Sequence, residues 1–529
     1  MTNIIDKNRR KLLLGAAATA AVGVFGLGAA RQAKMNKSIP VAHARLGINL
    51  ASVADWSTEF PFVDLFKQSR AWFVEGKQPS ESNLSLDSDG WITQLPLGTV
   101  VSTIVSVLGN SHFPSGDYVI LYDGEGVIKV PNQIHKSAAP GRIVVNVNGQ
   151  KGIFRLDVSK INPRNYIKNI RVVHLSHEKY EQSRWNPSFL ARWSGVACLR
   201  FMDFMLTNNS SLVAWKDRAK STDASFSGRG VPVEWLVDLA NQLNCDAWFC
   251  MPHKAHDDYI KQFAQYVKKH LKPELRAWVE YSNEVWNGGF KQYKDAEIAG
   301  QQLNLSNKPS QAALHYYAYR SVQIFKIWTD VYKGHDRLVR VLASQAAYSP
   351  AAEQILSFKD TASQADVLAI APYISFNIPE KDEKGLDAKS VSTWNLEQLF
   401  EHLNKVSLPQ STEWVKSNKK VADAYGLKLV AYEAGQHLVG VGGGENNEQL
   451  NKLLYSANAD ARMGDIYTES LTMWAQNGGD LTCSYSSVGT WSKWGSWGLL
   501  QNHDDALSNS PKFTASVKWA ISRGQKMAI

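Results

Sequence analysis

The segment A-W-V-E-Y-S-N-E-V-W-N (Ala277 to Asn287) decides the reading of this chain, together with K-L-V-A-Y-E-A-G-Q-H (Lys428 to His437). Each is a short apolar run that breaks into a polar loop at a glutamate, Glu284 in one and Glu433 in the other. Short apolar runs bounded by turn residues read as buried strands. Two glutamates presented at strand ends supply what acid/base and nucleophilic cleavage of a glycosidic bond requires. Positions 284 and 433 lie 149 residues apart, the length of about three strand–helix units with long loops.

Working outward, further runs of the same kind occur on both sides. Arg45–Leu50 opens the series, followed by Val196–Met202 and Asp246–Pro252 ahead of Ala277–Ser282. Leu338–Gln345, Asp366–Tyr373, Lys428–Glu433 and Asp480–Ser486 come after. Amphipathic stretches such as Pro232–Asn244 and Asp257–His270 separate them and carry apolar residues at helical spacing. Eight strands alternating with helices predict an α/β fold, a parallel (β/α)8 TIM barrel. The alternation is interrupted from about Gly76 to Ile170 by short β-like runs, with turn dipeptides at Asp123-Gly124 and Asn148-Gly149 that signal hairpins. This block predicts a small antiparallel β-sandwich over 76–170. It would be inserted after a first βα unit (31–75, with a linker) whose helix spans Phe62–Trp72, and 171–529 would complete the barrel.

Residues 1–30 stand outside that scheme. Arg9, Arg10 and Lys11 precede an apolar, Ala/Gly-rich run, the pattern of an export signal. The paired arginines point to twin-arginine export, with a general secretory signal as the alternative because Leu12 stands where that motif usually has Phe, and to a periplasmic or extracellular protein. No other segment suggests a membrane span. The segment holds four basic residues and one acid, so the chain's +9 falls to about +6 without it. No Lys/Arg cluster remains, which argues against nucleic acid as a partner. Cys198, Cys245, Cys250 and Cys483 all lie in or beside apolar runs, without C-x-x-C pairing, and are expected as buried thiols. The 18 tryptophans suit either a core or a sugar-binding surface.

In a barrel of this type the chemistry sits at the C-terminal strand ends. Asn283-Glu284 follow the fourth strand and Glu433 ends the seventh. Arg200 and Asp203 end the second, His253 follows the third, Tyr373 ends the sixth, and Trp491, Trp494 and Trp497 follow the eighth. With these residues the chain resembles the retaining glycoside hydrolases of clan A, over roughly Arg45 to Leu500 less the β insertion. The resemblance implies Glu284 as general acid/base, Glu433 as nucleophile, Asn283 on the sugar 2-hydroxyl, and Arg200 and Tyr373 in contact with the nucleophile. The wider Y-S-N-E-V-W-N context also resembles bacterial proteins described only as cellulose-associated or hypothetical.

Beyond the resemblance, His253, Trp286 and Trp491 are candidate substrate contacts, and Asp203, Asn208 and Asn209 either line the cleft or cap a loop. His253, His256, Asp257 and Asp258 are metal-binding types, but their spacing fits no closed zinc pattern. No metal or cofactor is expected. The expected activity is endo-type cleavage, with retention, of a β-linked polysaccharide such as a glucan or mannan. The alternative is a non-catalytic polysaccharide-binding or exopolysaccharide-assembly protein on the same scaffold.

Overall fold

The computed structural model describes residues 44–527 except 110, 111, 151 and 384. The expected export signal therefore lies outside the described residues. Among those residues, no helix is long and apolar enough to cross a membrane.

Eight parallel strands close into a barrel. They are β1 (Arg45–Asn49), β2 (Cys198–Arg200), β3 (Asp246–Met251), β4 (Ala277–Tyr281), β5 (Leu338–Ala343), β6 (Val367–Ile370), β7 (Lys428–Ala434) and β8 (Gly479–Ser484). Each coincides with one of the eight runs read from the sequence. They are buried on both faces, one against the barrel interior and one against the helices, which is why they read as continuous apolar runs. Alternate residues divide between two cores. Cys198, Trp248, Trp278, Val341, Val430 and Cys483 belong to a cluster inside the barrel, while Leu199, Phe249, Val279, Leu342 and Leu429 pack outward with the helices. Gly47 lies inside the ring, where an added Cβ would fall 2.8 Å from both Cys198 O and Cys483 Sγ. The four cysteines are buried free thiols.

The β insertion is a sandwich of two four-stranded sheets, built from strands between Phe73 and His174. Their facing side chains share one core, including Val105, Ile120, Val145, Phe154, Leu156 and Val172. Two details differ from expectation. The helix expected over Phe62–Trp72 is a single 3-10 turn, Leu65–Gln68. Its apolar residues serve different cores: Phe62 joins the barrel, whereas Phe66 and Trp72 join the sandwich. The buried Asp64 carboxylate holds this crossing, accepting from the amides of Phe66 and Val172. The helix that follows β1 in the barrel is instead Pro187–Trp193, so the sandwich sits inside the first βα unit rather than after it.

The second difference concerns the turn dipeptides. Asp123-Gly124 and Asn148-Gly149 each carry the chain from one sheet to the other instead of closing a hairpin. The dipeptide encodes a sharp reversal, not the choice of partner. Gly124 takes φ +88, and a Cβ there would lie 2.2 Å from Tyr166 O. A further parallel pair, Ile374–Pro379 with Gln436–Val441, extends β6 and β7 beyond the barrel rim.

Candidate active site

The site is organised around Arg200, which ends β2 and is fully buried. Its Nε and Nη2 donate to the carboxylate of Glu280, on β4, at 2.9–3.1 Å. Nη1 donates to Glu433 Oε1 at 3.0 Å and to Asn49 Oδ1 at 3.1 Å, and Nη2 also reaches Asn283 Oδ1 at 2.8 Å. Trp248 and Tyr432 flank the guanidinium with ring centroids at 5.4 and 5.0 Å. A guanidinium has five N–H donors in a rigid fork, and here they fix residues from β1, β4 and β7 at once.

Glu433 is 6 % exposed. Besides Arg200 it accepts a hydrogen bond from the Tyr373 hydroxyl on Oε2, at 2.9 Å. Strand alternation alone would point Glu433 and Tyr432 to opposite faces. The β7/β8 register removes that conflict. Ala431 pairs with Thr482 and Ala434 with Ser484, so three steps on β7 oppose two on β8. Such a bulge re-aims a side chain, and here both Tyr432 and Glu433 reach the site.

Glu284 lies just past β4 in a backbone turn with left-handed residues on either side of Asn283, at Ser282 (φ 59) and Glu284 (φ 43). Non-glycine residues in this region carry strain that surrounding contacts must hold. Asn283 supplies such contacts. Its Oδ1 faces Arg200 and its Nδ2 donates to Asn208 Oδ1 at 3.1 Å. Gln292 donates to both Asn208 Oδ1 and Asn283 O. One N–H of Asn283 Nδ2 remains for a ligand. The Glu284 carboxyl takes hydrogen bonds from Tyr432 OH (3.0 Å) and Asn287 Nδ2 (2.8 Å).

Burial raises the pKa of both carboxyls. At Glu433 the charge of Glu284 adds to the rise, while Arg200 and Tyr373 oppose it. At Glu284 the bonds from Asn287 and Tyr432 and the more remote Arg200 oppose burial, and the Glu280 charge adds to it. With the Glu284 charge raising Glu433, ionising both carboxyls at once is disfavoured. The hydrogen bonds differ between them. Glu433 is bonded to a cation, whereas Glu284 has two neutral partners. These bonds favour the ionised form of Glu433 more than that of Glu284. Burial and the Glu433 charge also push the Tyr373 hydroxyl well above its usual range, so it remains a donor.

The other sequence-derived candidates divide. His253 is buried, with Nε2 bonded to Asp295 at 3.0 Å, and burial lowers its pKa. Trp286 packs half-buried against the outer core. Trp491 lies over the Lys512 ammonium, 5.2 Å from ring centroid to nitrogen. Among the described residues, none of these three is hydrogen-bonded to Glu284 or Glu433. Asn208 locks Asn283, and Asp203 accepts from Tyr485 OH at 3.0 Å, where its charge raises Glu433. Asp257 pairs with Arg320 and Asp258 with Gln262, and among the described residues the His253 region holds no group of three converging ligand atoms. Sequence reading missed Glu280, Asn49 and Tyr432, and the pairing of Trp497 with His437 at 3.0 Å beside Tyr373.

Fold and site together define a closed (β/α)8 barrel with an asymmetrically bonded pair of carboxyls, Glu433 buried and Glu284 half-buried, at the C-terminal strand ends. No protein-family model matches the chain, and no curated protein matches it. Solved structures similar to it include a 4-O-α-L-rhamnosyl-β-D-glucuronidase from Fusarium oxysporum, at 15 % identity and TM-score 0.38, covering 63 % of this chain and 65 % of that one. A GH5-4 broad specificity endoglucanase from Clostridium acetobutylicum matches at 10 % identity and TM-score 0.32, covering 63 % and 89 %. A GH5 xyloglucan-specific endo-β-1,4-glucanase from a metagenomic library, in complex with cellotriose, matches at 13 % identity and TM-score 0.34, covering 64 % and 90 %.

Proposed function

We propose that this chain is an exported retaining glycoside hydrolase acting within a β-linked polysaccharide of the glucan or mannan kind. The observation that carries the reading is the asymmetry between the two carboxyls: Glu433 bonded to Arg200 and Tyr373, Glu284 to Tyr432 and Asn287. Glu433 attacks the anomeric carbon while Glu284 gives its proton to the departing glycosidic oxygen. The glycosyl–Glu433 ester forms and the leaving sugar departs. Glu284, now ionised, takes a proton from water as the water oxygen attacks the same carbon, and the C–O bond to Glu433 breaks. Retention needs carboxyls about 5–5.5 Å apart, leaving no room for a water between nucleophile and sugar. Tyr373 and Arg200 fix the Glu433 oxygens for attack, and the remaining Asn283 N–H suits the sugar 2-hydroxyl.

The test is a screen on β-glucans, mannans, xylans and acidic exopolysaccharides with Glu284→Ala and Glu433→Ala as controls, and proton NMR to follow the first anomer released. Turnover with retained configuration that both substitutions abolish is expected. Full activity in Glu433→Gln, or an inverted product, refutes the assignment. Polymer binding without turnover in the unaltered protein would make it a non-catalytic binder.

A further inference from the structure

Of the 18 tryptophans, all but Trp56 are buried or half-buried; Trp56 is 52 % exposed. A single exposed indole is ordinary on a protein surface, but the loop that carries this one is not. It leaves β1 directly after Asn49, which bonds Arg200 and the Tyr432 carbonyl on the floor of the site. Ala51 N donates to Ser487 Oγ just beyond β8, and Thr58 Oγ1 donates to Gln501 O. The turn itself is closed by Ser57 N to Ala54 O and Ala54 N to Ser57 Oγ. Asp55, immediately before Trp56, is fully buried, and the inserted sandwich clamps it. Its carboxylate takes Arg70 Nη2 at 2.6 Å, and its carbonyl takes the amide of Val107 at 2.8 Å. Val107 itself, on the sandwich, is 41 % exposed.

A second exposed aromatic residue, Tyr348 at 52 %, lies five residues beyond the end of β5. In the closed order of eight strands, β1 and β5 stand opposite one another. The loops that carry the two exposed rings thus leave opposite strands of the barrel, with Glu284, after β4, on one arc between them and Glu433, on β7, on the other.

We infer that Trp56 and Tyr348 are stacking platforms at the two ends of one cleft, which binds an extended polysaccharide across the barrel mouth, and that the inserted sandwich serves to fix the Trp56 end. The inference deepens the glycosidase reading and rests on it. Aromatic faces match the apolar C–H faces of pyranose rings, and a rigid ring loses little entropy when a sugar covers it. The occupant is a polymer because loops leaving opposite strands of the barrel are bridged through the carboxylates only by a chain of several sugars.

The test uses a Glu433→Gln parent, which binds without turnover, in affinity electrophoresis through gels holding mixed-linkage β-glucan, glucomannan or xylan. Adding Trp56→Ala or Tyr348→Ala should weaken retardation by about tenfold each, the equivalent of losing ~1.4 kcal/mol. Trp56→Phe should keep most of it, and Arg70→Ala, which loosens the turn, should fall between. In the active protein, Trp56→Ala should raise KM for the polymer and leave kcat on a short aryl glycoside unchanged. Equal retardation of parent and Trp56→Ala by a polymer that retards the parent overturns the platforms while leaving the glycosidase standing. No retardation by any polymer, with no turnover by the unaltered protein, overturns both.

Discussion

Glu280→Gln should move the whole pH–rate profile toward acid. The Arg200 guanidinium lies between two carboxylates, bonded to Glu280 on one side and to Glu433 on the other. With Glu280 ionised, part of the field of Arg200 is cancelled at Glu433. Removing that negative charge favours the ionised form of Glu433 and lowers its pKa, so the acidic limb of kcat/KM moves down. The Glu280 charge also raises Glu284, so its loss lowers the general acid and moves the basic limb the same way. Across the guanidinium the two carboxylates interact over ~6 Å, worth ~2.8 kcal/mol at an effective dielectric constant of about 20. That sets an upper limit of ~2 pKa units, and a shift of about one unit is expected once the side chains relax. The fold weakens as well, since the amide that replaces one oxygen faces the Trp248 and Cys250 donors and a buried ion pair has lost a member. The assay is kcat/KM from pH 4 to 9 on whichever aryl glycoside is turned over, with circular dichroism to fix the range where the variant stays folded. A uniform fall in rate with both limbs in place would refute the electrostatic role and leave Glu280 as packing.

Tyr432→Phe removes a donor that favours the ionised form of Glu284. The basic limb should therefore move to higher pH by under one unit while the acidic limb stays within error, again read from kcat/KM against pH. Tyr373→Phe takes a donor from Glu433, so it should raise the acidic limb and slow the glycosylation burst in pre-steady-state kinetics by about 10–100-fold. Lys512 is fully buried against Asn458 Oδ1, Ser496 O and the Trp491 ring, and burial pushes its pKa down to about 7. The unfolded chain holds this proton up to about pH 10, so between those values the unfolded state binds more protons and stability rises with pH. The contribution is at most ~5 kcal/mol at 1.36 kcal/mol per unit. Melting temperatures at pH 6.5 and 9 should differ less in Lys512→Met than in the unaltered protein, and an identical difference would remove Lys512 as the source.

The barrel was legible because buried parallel strands must be apolar on both faces, which leaves runs that end where the backbone meets polar loops. The same logic brought Glu284, Asn283, Glu433, Arg200 and Tyr373 together, since all five lie at or just past strand ends. It also held a clue that went unread. Glu280 stands inside a run that is otherwise apolar, in alternation with Trp278, and a carboxylate there must be paired. Arg200 occupies the matching place on β2, two residues after inward-facing Cys198, and is the partner that Glu280 requires. Three features had no such signal. The β7/β8 slip that turns Glu433 inward depends on register between strands nearly fifty residues apart. The Phe62–Trp72 segment has helical spacing, but its side chains serve two cores at once, and spacing cannot register a second core. W-S-K-W-G-S-W gives three tryptophans in one loop, yet Trp497 joins the wall beside Tyr373 while Trp491 covers Lys512. Local sequence decides where a side chain leaves the backbone; which core claims it is settled by elements far away in the chain. A carboxylate pair can therefore be read from strand ends, whereas the charges and rings that favour the ionised form of one member over the other cannot.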